Sequence, residues 1–184
     1  MTAVAETRPY AWPFDGRLAT TDFAFVVATG TSAGESGAAP RGVLDACAEF
    51  ASEVRELGGS VVWVACCGSA LPDVVADGEM TATTPSATGM IGGELELILR
   101  SQGIDRFALA GWPLEIAVHS TLRRANDLGY ECLLLEDLSE PLDPSLQHSA
   151  VSQILMSGGI FGAVGDSGSL LEALKTSNLQ GVDA

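Results

Sequence analysis

Positive charge is scarce in this chain of 184 residues, which contains a single lysine, Lys175, and only two histidines. Aspartate and glutamate number 24 against nine lysines and arginines, so the formal net charge is −15 at pH 7. Nucleic acids and anionic membrane surfaces repel such a protein, and we expect neither as a partner. The acidic residues are spread along the chain, which is typical of a solvated surface.

Cysteine is also sparse, and its spacing argues against a disulfide framework or a zinc site. The four cysteines are Cys47, Cys66, Cys67 and Cys132, and they form no C-x-x-C motif or Cys/His cluster. Cys66 and Cys67 are too close in sequence to bridge comfortably. We therefore expect four reduced thiols in a reducing compartment, with no metal and no cofactor.

Long apolar runs are missing as well. None reaches the roughly 20 residues that a membrane-spanning helix needs, and residues 1–20 contain no apolar segment preceded by positive charge. The second observation argues against a signal peptide. We expect a soluble, cytoplasmic protein.

What the chain does contain is a regular alternation of short apolar runs with helical patterns. Five short runs are mostly apolar, namely residues 23–27, 60–66, 107–110, 131–135 and 160–164. Strands that are apolar on both faces are typical of a parallel sheet covered by helices on both sides. The pattern predicts an α/β fold, a three-layer α/β/α sandwich with a doubly wound, mostly parallel sheet.

Two segments fall outside this alternation. Residues 1–20 combine aromatic side chains with prolines, and they predict an N-terminal aromatic arm that packs on the domain surface or on a neighbouring subunit. Residues 21–184 form the predicted single domain. Within it, residues 68–92 are rich in glycine, serine, threonine and proline, which predicts a long loop over the sheet.

Three blocks of sequence resemble one family. Residues 10–16 (YAWPFDG), 124–132 (RANDLGYEC) running into 135–137 (LED), and 158–164 (GGIFGAV) are similar to the biuret-hydrolase-like branch of the isochorismatase superfamily. The resemblance covers nearly the whole chain except residues 68–85, where family members carry a longer insertion. It implies a hydrolase of small amides and ureides that uses an Asp-Lys-Cys triad and an oxyanion hole of backbone N–H groups.

The three triad positions of that family are occupied by alanine here. The aspartate of the family pattern I-D-M-Q aligns with Ala28 in FVVATG, and the lysine of K-G-A-F/Y aligns with Ala87 in SATGM. The cysteine of G-V-x-T-x-x-C-V-x-x-T aligns with Ala117 in GWPLEIAVHST. A methyl group cannot attack a carbonyl, accept a proton or carry charge, so the family mechanism is predicted to be lost.

Other residues are predicted to line the remaining pocket. In a doubly wound sheet the pocket lies at the carboxyl ends of the strands, and the side chains expected there are those of Thr29, Cys66, Cys67, Met90, Trp112, Pro113 and Glu115. The family often has a cis peptide bond in the G-V-x-T segment, which predicts a cis Trp112–Pro113 bond. His119 is expected to face another helix or a subunit interface.

Two functions are compatible with this sequence. The first is a catalytically inactive family member that is retained for ligand binding or subunit assembly. The second is an enzyme with rebuilt chemistry in the same pocket, either a hydrolase that uses Cys66 or Cys67 or a catalyst that acts on an apolar ligand. The expected ligand is small and apolar or uncharged, and the expected assembly is a homo-oligomer or a heteromer with an active relative.

Overall fold

Six strands and five α-helices make up the part of the chain that the computed structural model describes, residues 2–30 and 39–181. The strands are β1 (Phe23–Thr29), β2 (Ser60–Ala65), β3 (Met80–Thr83), β4 (Arg106–Trp112), β5 (Glu131–Ser139) and β6 (Ala163–Gly165). The α-helices are α1 (Arg41–Glu56), α2 (Leu95–Ser101), α3 (His119–Asp127), α4 (Gln147–Met156) and α5 (Ser167–Gly181). Short helical turns precede two of them, a π-helical turn at Leu114–Val118 and a 3-10 turn at Pro144–Leu146.

The strands form one sheet in the order β3-β2-β1-β4-β5-β6, and every neighbouring pair is parallel. The chain moves outward from β1 through β2 to β3, then returns to β4 on the other side of β1 and continues to β6. This topology confirms the predicted doubly wound α/β fold.

Apolar side chains on both faces of the sheet explain why helices cover both. On one face, alternate residues of β1 join apolar residues of α2, α3 and α4 in what we call the α3-side cluster, which includes Val26, Ala28, Cys66, Met90, Leu99, Ala117, Leu122 and Ile154. On the other face, the intervening residues join α1 and α5 in the α1-side cluster, which includes Phe25, Leu44, Phe50, Trp63, Trp112 and Leu174. None of the helices within residues 2–30 and 39–181 is long and apolar enough to cross a membrane.

The strand β3 differs from the prediction, because it lies inside the segment that the sequence predicted as a loop. Its sequence is MTAT, and only Ala82 is buried. It forms the edge of the sheet and pairs with β2 alone. A short edge strand with one buried apolar residue has no apolar run or clear alternation, so the sequence pattern does not reveal it.

The aromatic N-terminal segment lies against its own domain. Trp12 is fully buried in the α1-side cluster, and Arg8 forms an antiparallel bridge with Val164 at the edge strand β6. The guanidinium of Arg106, which is mostly buried, donates to the carboxylate of Asp15 at 3.0 Å. These contacts fix the segment through apolar packing, a backbone bridge and an ion pair.

Gly111 allows β1 and β4 to approach closely at their carboxyl ends. Its backbone has a φ of +127°, and a Cβ added there would stand 2.1 Å from the carbonyl oxygen of Ala28. The pairing between β4 and β5 shifts register between Leu109 and Gly111. Only a residue without a Cβ fits this backbone conformation and this spacing.

We expect the variant Gly111→Ala to lose about 3 kcal/mol or more of unfolding free energy, because the strands must separate to accept the methyl group. The measurement is urea-induced unfolding followed by circular dichroism. The matched control is Gly42→Ala at the start of α1, where a Cβ would meet nothing within 4 Å; its stability should be unchanged or higher by up to about 1 kcal/mol. Equal stabilities for the two variants would contradict this account.

Candidate functional site

The carboxyl ends of β1 and β4 form the switch point of the sheet, where the connections run in opposite directions. Thr29 at the end of β1 pairs with Trp112 at the end of β4. Beyond them, the N–H of Gly30 donates to the carbonyl oxygen of Trp112 at 3.0 Å. Sheets of this topology bind ligands in the crevice at this point.

Two of the three predicted triad positions lie together at the switch point. Ala28 and Ala117 are fully buried members of the α3-side cluster, together with Cys66 and Met90. A Cβ added to Gly30 would lie 3.3 Å from the Cβ of Cys66 and 3.4 Å from the Cβ of Ala117, so these residues flank Gly30. The place where the resemblance puts an acid and a nucleophile is therefore occupied by apolar side chains.

The third triad position, Ala87, is half-buried and lies in the loop of residues 84–90. This loop is held by hydroxyl side chains within it, because Ser86 and Thr88 each accept a backbone N–H from the residue two positions further on. A third contact comes from α3, where the hydroxyl of Thr121 accepts the N–H of Gly89 at 2.8 Å. Thr121 was given no role from the sequence, although it occupies the last threonine position of the family pattern that aligns with residues 111–121.

The two adjacent cysteines differ in environment. Cys66 is buried, and desolvation raises the pKa of its thiol to about 12, although a hydrogen bond with Thr121 acts in the opposite direction. The thiol is therefore protonated near neutral pH and is a poor nucleophile. Cys67 is half-buried and has a positive φ of 58°, and its N–H donates to the carbonyl oxygen of Ser86 at 2.8 Å.

The remaining residues predicted to line the pocket are not all gathered at this cluster. Trp112 belongs to the α1-side cluster on the opposite face of the sheet. Pro113 is buried, and the Trp112–Pro113 peptide bond is cis, as predicted. The carboxylate of Glu115 accepts the N–H of Leu142 at 3.0 and 3.1 Å, so it caps the loop after β5.

A cavity of about 550 Å³ opens beside the switch point, on the side of α1. Its lining includes Thr29, Gly30, Ala39, Leu44, Leu71 and Pro72. Thr29 and Gly30 follow from the expected pocket at the strand ends. The sequence analysis missed the other residues, because they come from the segment at the start of α1 and from residues 69–73, which show no motif. We call this space the α1 cavity.

The α1 cavity is lined by one cation and one anion that pair with each other. Arg41 donates from Nη1 to both oxygens of Asp73, at 2.8 and 3.0 Å. Its Nε donates to Asp45 at 2.8 Å. Two carboxylates thus contact one guanidinium, which leaves a small excess of negative charge beside the cavity.

Metal ligands do not come together in the described parts of the chain. Within residues 2–30 and 39–181, no three of the histidine, cysteine, aspartate and glutamate side chains form a group that could hold a metal ion.

His119 lies at the start of α3, two residues beyond Ala117, and it contacts the turn between α4 and β6. Its ring packs edge-on against Phe161, with the ring centres 6.4 Å apart. Its Nε2 is buried and has no hydrogen-bond partner among the described residues. Desolvation, together with the nearby charge of Arg123, lowers the pKa of His119 below its ordinary value of 6.5.

The fold is that of a three-layer α/β protein with a doubly wound, parallel sheet. The Isochorismatase domain family matches residues 20–166, which is most of the chain. The protein belongs to the isochorismatase family.

Individual relatives agree with this assignment. The uncharacterized isochorismatase family protein YwoC of Bacillus subtilis is 38% identical over 68 residues, which cover 36% of this chain and 36% of YwoC. The match therefore spans only about a third of that curated relative.

Solved structures share the fold at low sequence identity. A cysteine hydrolase from Pseudomonas syringae pv. phaseolicola is similar with a TM-score of 0.73 and 12% identity, over 86% of this chain and 94% of that one. An isochorismatase family protein from Burkholderia thailandensis has a TM-score of 0.70 and 20% identity, over 86% and 97% of the two chains.

We expect the environment of His119 to make stability depend on pH. Because its pKa is lower in the folded state, the unfolded chain binds the proton first as the pH falls below about 6.5. The stabilisation from neutral His119 is complete above that pH and is lost as the pH falls through the lower, folded-state pKa.

The test compares unfolding free energies of the natural protein and a His119→Gln variant between pH 5 and pH 8. The difference should be constant above about pH 7.5 and should shift in favour of the variant as the pH falls below 6.5. A difference that stays flat over the whole range, or that shifts the other way, would show that this histidine is not held neutral by burial.

Proposed function

We propose that this chain is a member of the biuret-hydrolase-like branch of the isochorismatase family that has lost the Asp-Lys-Cys mechanism and keeps its fold for ligand binding and assembly. One observation carries the proposal. Ala28 and Ala117 lie in a buried apolar cluster with Cys66 and Met90. No carboxylate, ammonium or ionised thiol is present among these four side chains.

Because this cluster is buried, apolar side chains pack in it without cost. The same apolar character makes it unsuitable as a hydrolase centre. An isolated charge in such a cluster would carry a large desolvation cost, whereas methyl groups carry none. Cleavage of an amide needs a nucleophile and a group that accepts and returns a proton. Neither role can be filled by alanine or by methionine.

The alternative is an enzyme with rebuilt chemistry at Cys66 or Cys67. The raised pKa of the Cys66 thiol argues against it, because a buried and protonated thiol does not attack a carbonyl at neutral pH.

The α1 cavity supplies the proposed ligand site. Its volume of about 550 Å³ lies within the range of small-molecule pockets, and its lining is mostly apolar. The guanidinium of Arg41 is already paired with Asp45 and Asp73. An anionic ligand would meet excess negative charge, so the proposed ligand is small and uncharged.

The cellular location of the protein and its subunit partners form part of the same proposal. The four cysteines are free thiols, which suits a reducing cytoplasm. The proposed assembly is either a homo-oligomer or a heteromer with an active relative.

Ammonia release tests the loss of catalysis. The purified protein and a variant with Ala28→Asp, Ala87→Lys and Ala117→Cys are incubated with a panel of amides, ureides and biuret. We expect no turnover above buffer from the natural protein and measurable turnover from the variant, because only the variant carries a nucleophile and a proton acceptor.

A Cys66→Ala, Cys67→Ala protein provides the control for the alternative. Turnover by the natural protein that disappears in this double variant would establish the rebuilt enzyme in place of our proposal. Turnover by the natural protein that survives in the double variant would also overturn the proposal and would place the chemistry elsewhere.

Binding to the α1 cavity is tested by thermal shift with benzamide, which is neutral, and benzoate, which is an anion of the same shape. We expect benzamide to raise the melting temperature more than benzoate does. The variant Ala70→Trp places a large ring at an exposed position of the lining and should abolish the shift.

The matched control for this experiment is Ala76→Trp. Ala76 is also exposed, but it lines a separate cavity near the amino ends of β2 and β3, so the benzamide shift should persist there. A larger shift with benzoate, or an undiminished benzamide shift in Ala70→Trp, would argue against a neutral-ligand site in the α1 cavity.

A further inference from the structure

A second concave site lies near the amino ends of β5 and β6, at the opposite end of these strands from the switch point. Its volume is about 530 Å³, and its lining includes Tyr10, Phe14, Tyr130, Glu131, Gly159 and Ile160. We call it the Phe14 concavity. Among the described residues that line it, none is basic, and none belongs to the α1 cavity or to the triad positions. Aromatic rings and a single carboxylate therefore define its chemistry.

The rings of Tyr10 and Phe14 form two walls of a corner. Their centres lie 6.0 Å apart, and their planes meet at 69°. Phe14 is 82% exposed, so its ring stands open to solvent, whereas Tyr10 is backed by Gly159, where an added Cβ would approach the ring to 3.2 Å. Burial and the nearby Glu131 raise the pKa of the Tyr10 phenol, which is therefore neutral at pH 7. Neutral aromatic faces attract cations electrostatically.

The carboxylate of Glu131 lies directly beside this corner. Its Oε1 accepts the backbone N–H of Phe14 at 2.6 Å, which fixes the carboxylate next to the residue that carries the exposed ring. Desolvation raises the pKa of the Glu131 carboxyl above its ordinary value, and the hydrogen bond from Phe14 and the charge of Arg106 offset only part of this effect. A cation bound beside the carboxylate would supply the charge compensation that these partners leave incomplete.

The charges around Glu131 sum to a negative value. Arg106 is the cation whose charge acts on this carboxylate, and it is already shared among three aspartates. Its guanidinium nitrogens lie 3.0 Å from Asp15, 3.0 Å from Asp105 and 3.9 Å from Asp22. Four carboxylates thus surround one guanidinium, in a chain whose net charge is −15. Such a field raises the local concentration of cations and repels anions.

We propose that the Phe14 concavity binds a small, free organic cation with a quaternary ammonium head, whose methyl groups contact the rings of Tyr10 and Phe14 and whose charge lies beside Glu131. A quaternary ammonium has no N–H to satisfy, so aromatic faces and one carboxylate suffice to hold it. The exposed side chain of Ile160 adds an apolar contact for the methyl groups. This second ligand site is independent of the proposed neutral ligand in the α1 cavity.

The test titrates the full chain calorimetrically with choline and with 3,3-dimethyl-1-butanol, a neutral molecule of the same shape. We expect choline to bind with a Kd on the order of 1 mM, and the alcohol to bind at least about tenfold more weakly because it lacks the charge. Phosphocholine should also bind more weakly than choline, because its phosphate meets the carboxylates around Arg106. This third ligand separates a free cation from a lipid headgroup.

Two variants separate the contributions of the carboxylate and the ring. Glu131→Gln keeps an acceptor for the N–H of Phe14 but removes the charge, and it should weaken choline binding about tenfold. Phe14→Leu keeps an exposed apolar side chain but removes the aromatic face, and it should weaken binding about fivefold. The matched control is Glu49→Gln, which removes the same charge from an exposed position on α1 and should bind choline like the natural protein.

Several results would overturn the inference. Choline could show no saturable binding up to about 20 mM, a concentration well above the expected Kd. The neutral alcohol or phosphocholine could bind as tightly as choline, or Glu49→Gln could weaken binding as much as Glu131→Gln does. Unchanged binding in both Glu131→Gln and Phe14→Leu, each shown by circular dichroism to be folded, would also exclude this site. None of these results bears on the hydrolysis and benzamide assays, because those report on residues outside the Phe14 concavity.

Discussion

The close approach of β1 and β4 at their carboxyl ends is the constraint on which the site depends. Gly111 stands against the carbonyl oxygen of Ala28, and the pairing of β4 with β5 changes register at the same point. The chain then leaves the sheet through a π-helical turn that brings Ala117 beside Gly30. Backbone geometry, rather than any side chain of a triad, therefore sets the shape of the switch point.

This dependence on backbone explains how the fold persists with alanine at Ala28 and Ala117. A buried catalytic acid beside a buried nucleophile would have to be desolvated and then stabilised by partners. The methyl groups pack with Cys66 and Met90 and need no partners. Alanine at these two positions is thus compatible with the sheet, the turn and a fully apolar cluster between them.

The sequence predicted the central strands well because they are apolar on both faces, and it predicted α1 from its helical spacing. It missed β3, since a four-residue edge strand with one buried side chain has no distinctive pattern. Trp112 was expected in the pocket, yet neighbouring strand residues point to opposite faces, and Trp112 joins the α1-side cluster. The α1 cavity could not be predicted, because its walls meet only in the folded chain.

The scarcity of positive charge supports the uncharged ligand that we propose for this scaffold. The single lysine, Lys175, is exposed on α5, which packs on the face of the sheet opposite to Ala117. Arg106 lies at the amino end of β4 and is held by Asp15, and Arg41 is held by two aspartates. Each of these three cations is either remote from the switch point or already paired with carboxylates. A ligand with a carboxylate would therefore find no free partner among them, whereas a neutral ligand needs none.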